Sequence, residues 1–133
     1  MKILRNITVI ILLFAFTGCA PVAFLGGAIL GVSGYKYYDG ALDVIYQAPY
    51  QKTFDAAAKA LEALNYSIAE KVQKITEGSI TTTGPVKTRI KVSIEYVSAE
   101  ETKVKIRVGL LGDESASNKI KDKISDIVFD RTR

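Results

Sequence analysis

The sequence predicts an α+β protein in which an antiparallel sheet of about five strands carries two helices on one face, in the order β-α-β-β-β-β-α. Two segments repeat apolar residues every third or fourth position, which is typical of helices with one buried face. Two neighbouring segments alternate apolar and polar residues around a short polar turn, which is typical of a half-buried antiparallel hairpin. Helix-grip-like and ferredoxin-like sandwiches both fit this order.

A single α+β domain is expected over residues 40–133, and its first half contains one strand and one helix. The stretch "ALDVIYQ" is rich in strand-forming residues and ends before Pro49. A helix is predicted from Tyr50 to Leu64, and its apolar face consists of Tyr50, Phe54, Ala57, Ala58, Leu61 and Leu64. Asn65 is expected to adopt the left-handed conformation just after the helix.

The second half contains four predicted strands and the last helix. "YSIAEKV" and "EGSITTT" are weaker strands, and Gly84 with Pro85 interrupts the chain after them. In the hairpin that follows, the apolar positions are Thr88, Ile90, Val92, Ile94 and Tyr96, and then Val104, Ile106, Val108 and Leu110. Asp113 is a good N-cap for the final helix. We expect a core that includes Leu61, Ile90, Val92, Ile106 and Ile124.

The polar face of the hairpin is basic, since it carries Lys87, Arg89, Lys91, Lys103, Lys105 and Arg107. If Tyr96 pairs with Thr102, Lys91 lies opposite Arg107, and such a like-charge pair costs stability unless solvent or an anion separates the two. We therefore select Arg89, Lys91 and Arg107 as candidates for docking onto anions or an anionic membrane surface. A solvated basic face that discourages edge aggregation is the simpler explanation of the same pattern.

The chain opens with "MKILRNITVIILLFAFTGCA", in which two basic residues precede a short apolar run. A membrane-spanning helix needs about 20 apolar residues, and this run reaches small residues and a cysteine first. The layout is that of a secretory signal peptide, predicted over residues 1–18. Residues 19–39 follow as a glycine-rich apolar segment, either a loose tether or a helix with small residues on one face.

The junction Phe16-Thr17-Gly18-Cys19 resembles the cleavage motif of bacterial lipoprotein signal peptides, although Phe16 stands where leucine is usual. This resemblance implies that Cys19, the only cysteine in the chain, becomes a lipid-modified N-terminus. Its thiol, once deprotonated, is a strong nucleophile for an acyl-bearing group, and the chains it receives anchor the protein. In lipoproteins of Gram-negative bacteria, an aspartate directly after the lipidated cysteine retains the protein in the inner membrane. Position 20 is alanine, so the resemblance favours the outer membrane, facing the periplasm.

Composition argues against several function classes. The chain has no histidine and one cysteine, so we expect no zinc cluster, no other metal site, no cofactor and no histidine-based catalysis. The formal net charge is +4, and loss of Lys2 and Arg5 with the signal peptide leaves only +2. Without an arginine-rich run, that balance gives little reason to expect nucleic acid as a partner.

The chain as a whole resembles a family of short bacterial lipoproteins catalogued as a domain of unknown function. The resemblance rests on "TGC", "YKYYDGAL", "YQAPYQKTFDAAAKALEAL" and "TKVKIRVGLLGDESASNKI". It implies a lipoprotein with this fold and implies no activity. We expect a non-enzymatic envelope module held to the membrane by Cys19, with an envelope protein or anionic lipid as partner. The alternative is a carrier or sensor of a small apolar ligand between sheet and helices.

Overall fold

The computed structural model of this 133-residue chain describes residues 1–3, 31–83 and 88–130. The predicted signal peptide beyond residue 3, the lipidation candidate Cys19 and Lys87 lie outside the described residues. From residue 31 onward the described chain forms six strands and two helices. These are β1 (Val32–Tyr38), β2 (Ala41–Tyr46), α1 (Tyr50–Ala63), β3 (Ser67–Gln73), β4 (Glu77–Thr83), β5 (Arg89–Ser98), β6 (Glu101–Val108) and α2 (Glu114–Val128).

The six strands form one open antiparallel sheet in the order β1-β2-β6-β5-β4-β3. Helix α1 packs over β3 to β6, helix α2 packs over β2 and β6, and the helices also contact each other. They therefore form one layer on one face of the sheet, which confirms the α+β class. The described elements follow the order β-β-α-β-β-β-β-α, which differs from the β-α-β-β-α-β order of ferredoxin-like folds.

The additional strand corrects the expected count of about five. Strand β1 lies in the segment that the sequence assigned to a tether, and it pairs with β2 so that Tyr35 lies opposite Val44. The buried Lys121 of α2 places its Nζ 4.0 Å from the centre of the Tyr35 ring. Only Val32 of this edge strand is buried. An edge strand with so few buried side chains lacks the alternating pattern that identifies the strands at the centre.

The core lies between the helix layer and the inner face of the sheet. The five residues predicted to form it are all at most 1% exposed, which confirms the prediction: Leu61, Ile90, Val92, Ile106 and Ile124. Tyr46 is also buried, and its hydroxyl donates a hydrogen bond to the Lys121 carbonyl at 2.9 Å. Burial raises the pKa of Tyr46, so this hydroxyl remains a donor across the physiological pH range.

Both ends of α1 and the start of α2 have local causes that the sequence predicted. Helix α1 begins directly after Pro49, ends one residue before the expected Leu64, and is followed by Asn65 in the left-handed region with a φ of 63°. Helix α2 begins after Asp113, whose carboxylate accepts a hydrogen bond from the Ala116 amide at 3.0 Å. This N-cap is the one that the sequence predicted.

The core assignment predicts the stability of two isoleucine variants. Ile106→Ala removes a fully buried side chain from the central strand β6 and should lower the free energy of unfolding by about 2–4 kcal/mol. Ile75→Ala is the matched control, because Ile75 is 92% exposed at the β3–β4 turn, and its effect should stay within about 0.5 kcal/mol. Urea denaturation measures both values, and equal effects at the two positions would contradict the core assignment.

Candidate functional site

The outer face of the sheet brings the three predicted docking residues together. Lys91 lies opposite Arg107 and Tyr96 lies opposite Thr102, so the predicted hairpin register is confirmed. Arg89 precedes Lys91 by two positions on the same strand and therefore points to the same side. We call Arg89, Lys91 and Arg107 the basic cluster. Together with Gly109 and Leu110, the cluster lines a shallow depression of about 370 Å³.

The basic cluster has only uncharged immediate neighbours on the flanking strands. On one side, β4 places Thr81 and Thr83 opposite Lys91 and Arg89. On the other side, β2 places Ala41 opposite Arg107. The nearest acidic residue in the Lys91 row is Glu70, which lies one strand further out, opposite Thr81. The positive charges of the cluster are thus not neutralised by residues directly across the sheet.

Charge is balanced toward the other end of the same face. Glu95 lies opposite Lys103, and Asp43 lies opposite Lys105, whose Nζ is 3.9 Å from a carboxylate oxygen of Asp43. Exposed pairs of this kind contribute little to stability, but they cancel each other's field. The outer face therefore has an unbalanced basic end near Gly109 and a neutralised end near the β5–β6 turn.

Arg107 has a structural role that the sequence did not reveal. Its Nη1 donates to the Asp39 carbonyl at 3.3 Å and its Nη2 donates to the Leu110 carbonyl at 3.1 Å. The side chain thereby connects the β1–β2 turn to the segment after β6. A guanidinium has five N–H donors, so these two bonds leave others for an anion. Arg89 and Lys91 are accordingly the better positions for testing function without disturbing the fold.

The segment after β6, residues 109–112, forms what we call the leucine loop. The sequence placed Leu110 on the buried face of the hairpin, and this prediction is wrong: β6 ends at Val108, and Leu110 and Leu111 are each 89% exposed. Gly109 and Gly112 have φ values of 74° and 85°, which turn the chain out of the sheet. The strict alternation of β6 ends at this turn, so the pattern that buries Val108 does not extend to Leu110.

The leucine loop packs against the β1–β2 turn. A Cβ atom added to Gly112 would collide with the backbone of Gly40 and with the Tyr37 hydroxyl. One added to Gly40 would meet the Leu111 carbonyl oxygen at 2.8 Å. Two motifs far apart in the sequence, "YKYYDG" and "GLLGD", are therefore in direct backbone contact, and both sites of close approach need glycine.

An exposed aromatic residue extends this end of the sheet. Tyr38 pairs with Ala41, which pairs with Arg107, so Tyr38 lies in the same row as the basic cluster. Its ring is 72% exposed, and the Lys36 Nζ lies 5.3 Å from its centre. Basic, aliphatic and aromatic side chains thus meet at one end of the molecule.

In residues 1–3, 31–83 and 88–130, no group of three or more acidic, histidine or cysteine side chains is placed to hold a metal ion. Over the same part of the chain, no helix is long and apolar enough to cross a membrane.

The close approach at Gly112 predicts a loss of stability on a small substitution. Gly112→Ala adds a methyl group at a positive φ and against the Gly40 backbone, so it should lower the free energy of unfolding by about 1–3 kcal/mol. Gly34→Ala is the control, because a Cβ there meets nothing within 4 Å. That variant should be neutral or slightly stabilised in the same urea titration. Wild-type stability in Gly112→Ala would contradict the packing of the loop.

Comparison with curated proteins finds no match to this chain. A family profile described as a protein of unknown function, DUF3568, matches residues 2–127, which is nearly the entire sequence. The chain therefore belongs to the DUF3568 family.

Proposed function

We propose that this chain is a lipid-anchored, non-enzymatic protein of the bacterial envelope that docks its folded domain onto anionic groups through the basic cluster. The observation that carries the proposal is the placement of Arg89, Lys91 and Arg107 around one depression. The flanking strands place only uncharged residues directly opposite them, namely Thr81, Thr83 and Ala41. The depression is shallow and open, which suits contact with a surface better than enclosure of a small molecule.

The N-terminal sequence supports the anchor. A basic start, a short apolar run and the "TGC" junction together favour cleavage before Cys19 and lipid attachment to its thiol. Ala20 supports a location in the outer membrane, facing the periplasm. The segment between Cys19 and Val32 spans at most about 45 Å when fully extended, so an anchored domain stays close to the bilayer.

Anchoring makes a weak attraction effective. A tethered domain meets the membrane surface at a high local concentration, and each basic residue near an anionic surface contributes about 1 kcal/mol. Three clustered basic residues are then enough to orient the domain. A docked orientation would fix which faces remain available to other envelope components, which is the scaffold role we propose.

The arrangement of the sheet and helices bears on the alternatives left open by the sequence. We favour a helix-grip-like description of the fold, because the antiparallel sheet lies across both helices. A carrier of apolar ligands would need space between these layers, whereas the depression at the basic cluster lies on the outer face of the sheet. No feature of the described residues favours the carrier, so the docking module is the function proposed.

The anchor predicts a loss of lipid in one variant. Cys19→Ser removes the nucleophile that would accept the diacylglyceryl group, so cells fed labelled palmitate should incorporate no label into the protein and should accumulate the longer precursor. Immunoprecipitation followed by autoradiography measures both effects, with the wild-type chain as the labelled reference. Incorporation of palmitate into Cys19→Ser would contradict the anchor.

The basic cluster predicts salt-sensitive binding to anionic vesicles. A fragment starting at residue 31, first checked for cooperative thermal unfolding, should sediment with phosphatidylglycerol vesicles at low salt and with phosphatidylcholine vesicles far less. Replacing both Arg89 and Lys91 with Gln should weaken the binding roughly 10- to 30-fold and reduce its dependence on salt.

The matched control removes the same charge from the opposite side of the molecule. Lys52 and Lys59 are exposed on α1, and replacing both with Gln should leave vesicle binding nearly unchanged. Equal losses in the two double variants would show that net charge, and not the cluster, drives binding. Absence of binding by the folded wild-type fragment at low salt would contradict the proposed docking.

A further inference from the structure

We propose that the surface on which this domain docks is a phospholipid bilayer, with Leu110 and Leu111 of the leucine loop inserted among the lipids while the basic cluster contacts the phosphates around them. This inference rests on the proposed function, because the basic cluster supplies the attraction that brings the loop to the membrane. It goes beyond that function by naming the partner and the inserted residues.

The exposure of the two leucines is the first observation. Elsewhere in the described chain, Leu42 and Leu61 are at most 1% exposed, whereas Leu110 and Leu111 are each 89% exposed and adjacent. A single exposed leucine needs no explanation, since folded proteins expose much apolar surface. A pair that projects from a tight loop beside unbalanced positive charge indicates a contact site.

The second observation is that the loop is braced in this exposed position. Left-handed glycines bound it on both sides, Gly112 packs against the Gly40 backbone, and Arg107 donates to the Leu110 carbonyl at 3.1 Å. The backbone is therefore held with its two apolar side chains outward. A preorganised tip loses little conformational freedom when it enters another phase, so more of the burial energy is available for binding.

Charge and shape favour lipid over an acidic protein as the occupant. The leucines project outward, which suits a soft hydrocarbon layer, and Leu110 also contributes to the depression formed by the basic cluster. Tyr38 lies in the same row, and exposed aromatic side chains favour the interfacial zone of membranes. In this orientation the apolar tip contacts the acyl chains, the basic residues contact the phosphates, and the aromatic ring lies in the interfacial zone between them.

The acidic residues near the loop are compatible with this orientation. Asp113 directs its carboxylate to the Ala116 amide at the start of α2, and Glu114 begins that helix. Both therefore belong to the first turn of α2, and the Asp113 carboxylate is already engaged as its N-cap. Asp39 lies closer, and its backbone carbonyl, not its carboxylate, receives the Arg107 hydrogen bond.

The opposite end of the sheet offers a natural comparison. Ile75 is 92% exposed in the β3–β4 turn, so it is as accessible as the two leucines. Its neighbours Lys74 and Glu77 form an ion pair at 3.1 Å, which leaves no excess of positive charge beside it. Exposure without a basic cluster should not lead to insertion.

The experiment uses the full-length chain reconstituted into vesicles that contain lipids brominated in their acyl chains. The chain has no tryptophan, so Leu110→Trp introduces a single indole at the loop and Ile75→Trp introduces one at the control turn. In vesicles with phosphatidylglycerol, we expect the indole at position 110 to show blue-shifted emission and strong bromine quenching. The indole at position 75 should show emission typical of water and little quenching.

Further variants test whether the basic cluster and the two leucines cause the bromine quenching and the vesicle binding. In the Leu110→Trp background, replacing Arg89 and Lys91 with Gln should reduce the quenching at least severalfold, whereas replacing Lys52 and Lys59 should not. In vesicle sedimentation of the folded fragment, Leu110→Ser together with Leu111→Ser should weaken binding about 10-fold. Urea titration checks that each variant retains wild-type stability, as expected for positions that are almost fully exposed.

The outcomes separate this inference from the function on which it rests. Equal emission from the two indole positions in anionic vesicles would overturn insertion, and if the fragment still bound those vesicles the docking function would stand. If the indole at position 110 is not quenched and the fragment also fails to bind anionic vesicles, insertion and docking are both overturned. An acidic protein then becomes the alternative partner. Quenching at position 110 that survives loss of Arg89 and Lys91 would overturn the role assigned to the basic cluster.

Discussion

Strand β2 pairs with β6 along six residues and so connects the two parts of the sheet that lie on either side of α1 in the sequence. This pairing joins the N-terminal hairpin to the four-strand meander, with Leu42 opposite Ile106 on the inner face and Ala41 opposite Arg107 on the outer face. The inner register aligns apolar side chains under both helices. The outer register brings the β1–β2 turn beside the leucine loop, where Arg107 bonds to a carbonyl from each. Core and candidate site thus arise from one long-range pairing.

The fold and the candidate site share a residue at this junction. Arg107 belongs to the basic cluster by position, yet its hydrogen bonds also hold the two turns together. Removing it would change the shape of the loop as well as the charge of the surface, and the two effects could not be separated. Arg89 and Lys91 contribute charge from the regular part of β5 and give the cleaner test. The glycines at positions 40 and 112 complete the junction by allowing the two backbones to touch.

Local periodicity made much of the fold predictable. The β5–β6 hairpin and its register, both helices, the Asp113 cap and the five core positions follow from patterns within single elements. Strand β1 was missed because an edge strand buries little, and Leu110 was misplaced because a glycine turn ends the alternation of β6. The hydrogen bond from Arg107 to the Asp39 carbonyl joins chain segments far apart in sequence, so no local pattern indicates it. The basic cluster was predictable as a group, and lipidation at Cys19 stays a prediction, since that residue lies outside the described part of the chain.

We propose that one end of the sheet, formed by the basic cluster and the leucine loop, faces an anionic bilayer. Hydrogen–deuterium exchange of the wild-type protein carrying its lipid anchor, compared between vesicles with and without phosphatidylglycerol, tests this orientation without any substitution. We expect slower exchange in anionic vesicles at residues 109–112 and at the Asp39–Gly40 turn, with no change at the distal β3–β4 turn, residues 74–76. Identical exchange at residues 109–112 in the two kinds of vesicle, or protection that appears at the distal turn instead, would contradict it.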